Sequence, residues 1–130
     1  MKDSLTRLGL VAGLVVAGSV APAAAQAKPT AHPAAVTDES IAKGKEIFTK
    51  GGLCYACHGS EAKGAVGPNL TDGEWLHSDG SYEAIVATVT SGVPKEKSKS
   101  GIVMPPKGGS SISEDDVKLV AAYVWSLSHP

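Results

Sequence analysis

Arginine is all but missing from this chain. Arg7 is the only one, and 12 basic against 13 acidic residues leave a formal net charge of −1. A chain with no basic excess lacks the electrostatic footprint that a nucleic-acid backbone requires. Aromatic residues are scarce too: Phe48, Tyr55, Trp75, Tyr82, Tyr123 and Trp125 are the whole provision for 130 residues. A small domain with so little to bury is marginal without a staple or a bound group, so something besides side chains is expected to fill its middle. Long apolar runs are absent. The longest, residues 8–20, has 13 residues, short of the roughly 20 that span a hydrocarbon core. No segment repeats, and none shows convincing strand alternation. Cysteine and methionine are down to two each: Cys54 and Cys57 stand three positions apart, and Met104 is the only methionine besides Met1.

The N-terminus reads as an export signal. Lys2 and Arg7 make a basic start, residues 8–20 supply the apolar stretch, and Ala23, Ala24 and Ala25 offer small residues for cleavage. Residues 1–25 are therefore expected to be removed, which places the chain in the bacterial periplasm. Neither an Arg-Arg pair nor a cysteine that could take a lipid is present in this segment, so export as an unfolded chain is the simplest route. Losing Lys2, Arg7 and Asp3 leaves a net charge of −2 on a single domain. Residues 26–36 (QAKPTAHPAAV) are Pro/Ala-rich without periodicity and are read as a flexible leader, with the domain running over 37–130.

The domain is expected to be all-α, with three main helices, short helical turns and long loops. Thr37 is an N-cap followed by Asp38 and Glu39, where the helix dipole favours anions. Ile41, Gly44, Ile47 and Phe48 then share one face, and Gly51-Gly52 ends the helix. Ser81 caps a middle helix that presents Ile85, Val86 and Val89 and stops at Gly92. Ser113 starts the last helix, with Asp116 completing a variant capping box and Ile112 and Val117 at staple positions. Its apolar stripe is Val117, Val120, Ala121, Val124 and Leu127. Between the last two helices, GVPKEKSKSGIVMPPKGGSSI has neither period. A loop of that length in a compact domain is usually functional, and Val-Met-Pro-Pro at its centre suggests a stiff, partly buried turn.

The run CYACH puts Cys54, Cys57 and His58 together. A redox disulfide of the thioredoxin kind calls for Cys-x-x-Cys opening a helix within a βαβ unit, and the strands are missing. Zinc wants four nitrogen or sulfur ligands, and the remaining histidines, His32, His77 and His129, lie at spacings that match no zinc pattern. A structural disulfide closing so short a loop adds little, because the entropic gain grows with loop length. Covalent haem accounts for every part: two thiols on a turn of helix reach two vinyl groups, and the next residue sets an imidazole on the iron. Cys-x-x-Cys-His is the attachment signature of c-type haem.

With these pieces in view, residues 41–127 resemble the class I monohaem cytochromes c. The matching stretches are GKEIF, CYACH, GPNL at residues 67–70, Met104-Pro105 and the closing KLVAAYVWSLS. GPNLTDGEWLH is most similar to the haem domains of the dihaem subunit of bacterial haem–copper oxidases. The resemblance implies a small cytochrome c fold wrapped round one haem c, with the first and last helices crossing near Gly44, Phe48 and Tyr123. It implies thioethers at Cys54 and Cys57, His58 and Met104 as axial iron ligands, and the carbonyl of Pro68 as acceptor for the other ring nitrogen of His58. An isolated methionine is by itself as ready a core filler, and His77 and His129 stand as alternative ligands. Trp75 and Tyr82 are candidate haem contacts, either donating to a propionate or walling the haem.

The function implied is an exported one-electron carrier, not an enzyme, because a His/Met pair leaves the iron no open position. An electron-accepting subunit of an exported dehydrogenase or oxidase complex is the second reading, and a haem-free thiol–disulfide oxidoreductase the third. Partners would be redox proteins such as a quinol-oxidising complex, a terminal oxidase or a dehydrogenase. Lys95, Lys97 and Lys99 crowd the ligand loop and are candidates for docking them, against the plainer reading of a solvated loop.

Overall fold

A computed structural model describes residues 32–130 of the chain. The expected signal peptide, residues 1–25, and most of the leader lie outside the described residues. Those described are helical: α1 Asp38–Thr49, α2 Tyr55–His58, α3 Tyr82–Ser91, a short 3-10 turn Pro106–Gly109, and α4 Glu114–Ser128. Their one strand-like pairing is an isolated antiparallel bridge between Val93 and Met104.

Each long helix begins at its predicted hydroxyl. Thr37 Oγ1 accepts from the Ser40 amide at 3.1 Å while Ser40 Oγ accepts from the Thr37 amide at 2.8 Å, a reciprocal box built with serine rather than glutamate. Ser81 Oγ accepts from Ala84. At α4, the Asp116 amide donates to Ser113 Oγ at 3.1 Å, and Asp116 Oδ2 accepts from the Ser113 amide and hydroxyl at 3.0 and 2.8 Å. These bonds hold the Asp116 carboxyl below its ordinary pKa, the backbone bond counting most.

Among the described residues α4 packs against both α1 and α3. Gly44 is what lets α1 come so near, since a Cβ there would land on the Leu119 carbonyl and crowd Tyr123 Cβ at 2.9 Å. One turn on, the Phe48 and Tyr123 rings meet edge to face at 5.4 Å, the crossing that the resemblance implied. Phe48, Val117 and Val120 are the largest side chains that are almost wholly buried; each valine contributes about 1.5–3 kcal/mol by leaving water. The buried surface of α4 is wider than the predicted stripe. Ala122, Tyr123 and Trp125 join it while Leu127 is only half-buried, because α4 is covered from more than one side.

Part of that cover comes from residues read as flexible leader. Val36 is buried, and the His32 ring stands edge-on to Trp125 at 5.0 Å. The packed unit therefore reaches back at least to His32 rather than starting at Thr37. For His32 the physical reason is the indole of Trp125, which it meets on one side while His129 stacks on it at 4.2 Å.

Candidate haem site

Cys54 caps α2, a single turn in which the amides of Cys57 and His58 bond back to the Cys54 carbonyl at 3.2 and 3.0 Å. That turn carries both thiols and the imidazole into one cleft. Both cysteines are free thiols. Cys54 is buried, its Sγ–H donates to the Gly52 carbonyl at 3.4 Å, and burial pushes its pKa up to about 11. Leu53, just before it, sits in the left-handed region at φ 56°, which costs a leucine about 1–2 kcal/mol.

The loop after α2 folds back onto the same turn. Gly64 donates to the His58 carbonyl at 2.8 Å, Gly67 to the Cys57 carbonyl at 2.8 Å, and Leu70 to the Ala62 carbonyl at 2.8 Å. Two orphan carbonyls at the helix end are satisfied this way, and the loop delivers Pro68. The Pro68 carbonyl lies 2.9 Å from Nδ1 of His58. A carbonyl can only accept, so Nδ1 carries the proton and Nε2 of the neutral ring keeps its lone pair. Desolvation lowers the His58 pKa, with the Pro68 bond acting in the opposite sense; burial thus favours the neutral, ligating form.

Met104 reaches the cleft from the other long loop. Val93 and Met104 exchange backbone hydrogen bonds at 2.8 and 2.9 Å, which closes residues 94–103 into an excursion and anchors Met104 at its base. Gly92 makes the passage possible: it is left-handed at φ +68°, and a Cβ there would strike the Met104 carbonyl. Of the expected stiff turn, Met104 and Pro105 are half-buried but Val103 is exposed.

The cleft so formed holds about 1180 Å³ of empty space, counting its open mouth and the solvent in it. Cys54, Cys57, His58, Pro68, Trp75 and Met104 all line it, with Ile85, Val89, Val120 and Val124 among its apolar walls. Tyr82 does not line it. It is buried against α4 and its hydroxyl donates to the Lys118 carbonyl at 3.3 Å, so it serves helix packing; the first residue of α3 faces α4, a consequence of helix phase that spacing alone did not reveal. His77 lines the cleft, whereas His129 stacks on Trp125 at 4.2 Å with Nδ1 on the Trp125 carbonyl and lies outside it. Sequence reasoning missed Leu53, Ile102 and Val103, which line the cleft mouth while 44 %, 44 % and 52 % exposed; no periodicity marks them.

The donor set suits a covalently held haem: two free thiols, an imidazole with a bare Nε2 and a thioether sulfur, all facing one apolar cleft. Residues 39–124 match the family described as cytochrome c oxidase, cbb3-type, subunit III. The chain belongs to this family. Membership implies covalently bound haem c with its iron and a place in electron transport. Among its relatives, the cbb3-type cytochrome c oxidase subunit CcoP of Rubrivivax gelatinosus is 40% identical over 91 residues, covering 69% of this chain and 27% of the relative. Subunit FixP of Bradyrhizobium sp. (strain ORS 278) is 41% identical over 90 residues, covering 67% of this chain and 30% of the relative. The chain thus spans less than a third of the length of these relatives, which are subunits of an oxidase of which the family domain is one part. Cytochrome CL from the marine methylotroph Methylophaga aminisulfidivorans MPT shares the fold, with a TM-score of 0.56 at 24% identity over 72% of this chain and 57% of that one. The helical fold expected from the cytochrome c resemblance is the one found.

Proposed function

We propose that the chain is an exported monohaem c-type cytochrome that carries single electrons in the periplasm and is not itself an enzyme. Cys54 and Cys57 would hold the haem through thioethers, and His58 and Met104 would supply the protein ligands to its iron. The observation that carries this reading is that these four side chains line one apolar cleft, with the Pro68 carbonyl setting the tautomer of His58. When bound, haem c supplies a one-electron iron couple, and a His/Met ligand pair favours its reduced form relative to bis-His. Pro68 keeps the imidazole oriented, Trp75 walls the cleft, and the aliphatic lining excludes water. A redox Cys-x-x-Cys of the thioredoxin kind opens a helix within a βαβ unit, whereas Cys54 and Cys57 here stand on a single helical turn in a chain whose described residues carry no β-strand, which argues against a haem-free thiol–disulfide oxidoreductase.

Mass spectrometry is expected to give the mature chain plus one haem, with the colour staying on the polypeptide after acid–acetone extraction. Oxidised protein should show the weak near-infrared sulfur-to-iron band, and Met104→Ala should lose that band while keeping its haem. A wild type without the band would turn attention to His77, the other histidine in the cleft.

The second reading, an electron-accepting subunit of an exported oxidase or dehydrogenase complex, is favoured by the likeness to oxidase subunits. No helix among the described residues is long and apolar enough to cross a membrane. Under either reading the partners are redox proteins: a quinol-oxidising complex on one side, a terminal oxidase or dehydrogenase on the other. Lys95, Lys97 and Lys99 supply local attraction for them. Co-purification at high salt separates the readings, because a subunit stays bound through a larger apolar interface than a carrier uses.

A further inference from the structure

On the reading above that Met104 ligates the iron, we propose that Gly108 is a positioning residue for that ligand. Its backbone seats on the Gly52 carbonyl and ties the turn that follows Met104 to the segment that carries the attachment cysteines. The tie limits how far the sulfur can withdraw from the iron, and so keeps outside ligands off it.

The contact is backbone on backbone. Gly108 is left-handed at φ +66°, and a Cβ there would stand 2.7 Å from the Gly52 carbonyl oxygen, too close to be accommodated without movement. Gly52 has no room to give. It is buried, and its amide donates to the Ile47 carbonyl at 2.7 Å. A Cβ of its own would meet that carbonyl at 2.9 Å and Cys54 Sγ at 3.3 Å. The end of α1 thus backs the Gly52 carbonyl, and it is the segment of Gly108 that must shift.

A shift there has little chain in which to dissipate. Pro105 and Pro106 follow Met104 directly, and each ring fixes φ at about −65°. The Gly108 amide donates to the Pro105 carbonyl at 3.0 Å, and the Ser110 amide and hydroxyl both donate to the Lys107 carbonyl, at 3.1 and 2.6 Å. On the far side a Cβ at Gly92 would strike the Met104 carbonyl and stand 2.7 Å from the Pro106 nitrogen, so the end of α3 closes that direction. The turn is gripped between α3 and the attachment segment, and displacement at Gly108 passes to Met104. Left-handed backbone alone also favours glycine, and it does so equally at Gly101 and Gly109, φ +73° and +78°. There a Cβ meets nothing within 4 Å at Gly101 and comes no nearer than 3.4 Å to Pro105 Cγ at Gly109. Those two positions separate backbone strain from the contact.

The test uses the ferric, full-length holoprotein with imidazole as the outside ligand. Met104 must leave before imidazole binds, so the apparent affinity scales with the fraction of protein whose sulfur is off the iron. Gly108→Ala should bind imidazole about tenfold more tightly than wild type. Its near-infrared band should weaken and its reduction potential should fall, because thioether ligation favours the reduced iron. Gly101→Ala and Gly109→Ala should keep the band, potential and affinity of wild type, although they carry the same backbone strain. Pro106→Ala adds nothing to the contact but frees a torsion of the turn through which it acts. That variant should bind imidazole about threefold more tightly, and it decides the matter if Gly108→Ala does not accumulate with haem. Gly108→Ala at the wild-type affinity, an equal change in either glycine control, or Pro106→Ala indistinguishable from wild type would overturn the positioning role. A wild type without the near-infrared band would overturn the Met104 ligation on which that role rests, and the role with it.

Discussion

In the helical frame, Phe48, Val117 and Val120 are almost wholly buried, and α1, α3 and α4 each begin at a hydroxyl cap. The segments that feed the cleft look different. Apart from Cys54, His58, Ala62 and Val93 their side chains are half-buried or exposed, and all the left-handed residues among those described, Leu53, Ala62 and Lys107 besides seven glycines, lie outside those three helices. Their shape is held by backbone hydrogen bonds such as Gly64 to His58 and Val93 to Met104. The frame is thus stabilised by burial and can stand some change at its surface. The feeding segments gain little from burial until a group occupies the space between them, and they keep Pro68 and Met104 in place through specific backbone paths.

The sharpest way to break this contrast is to remove the attachment. Cys54→Ala with Cys57→Ala should yield little folded protein, because the feeding segments lose the group they close on and the frame alone is a small core. Soluble, cooperatively unfolding apo protein in good yield, read by circular dichroism, would show that the frame suffices. Gly44→Ala tests the frame itself. The added Cβ meets the Leu119 backbone, so α1 and α4 must part, at a cost of about 2–3 kcal/mol in urea unfolding.

The cap of α4 comes next. Ser113→Ala should cost about 1 kcal/mol. The pKa of Asp116 is lowered in the folded state from an ordinary 3.8, so its contribution is complete above that value and is lost as pH falls through the folded one. Ser113→Ala removes the hydroxyl bond and keeps the larger backbone one, so it should flatten the acid side of the stability profile below about pH 4 only in part, and a profile parallel to wild type would show that the hydroxyl bond contributes nothing there. The smallest effect belongs to the cleft segments. Lys107 is left-handed at φ 55°, and Lys107→Gly should gain about 0.5 kcal/mol, the relief of strain partly offset by a freer unfolded chain. A loss instead would mean that the bonds from Ser110 to the Lys107 carbonyl depend on the lysine.

Those outcomes bear on what could be foreseen. Thr37, Ser81 and Ser113 were legible as helix starts because a cap is a local event, complete within four residues. The α1–α4 crossing followed from family likeness, and Gly44 then has a steric reason. Tyr82 was not legible: whether the first residue of α3 faces the cleft or α4 depends on how the helix is rotated, and its hydroxyl went to Lys118. Nor was the packing of Val36 and His32, since Pro/Ala-rich composition hides the one valine that is buried and the one ring that meets Trp125. Nor had the exposed lining residues Leu53, Ile102 and Val103 any signal, because Leu53 and Ile102 are far apart in the chain.

By itself the sequence determined the chemistry. Two thiols and an imidazole on one turn can be read from spacing, since a turn of helix brings near neighbours together whatever the rest of the chain does. Helix starts and the apolar stripe of α4 belong to the same short-range class. Tertiary structure decided which distant groups share the cleft: the Pro68 carbonyl on His58, Met104 anchored by Val93, and Leu53, Ile102 and Val103 in the same lining. Those juxtapositions come from loop paths, where left-handed residues and long-range backbone hydrogen bonds replace periodicity, and no pattern within a few residues encodes where such a path ends.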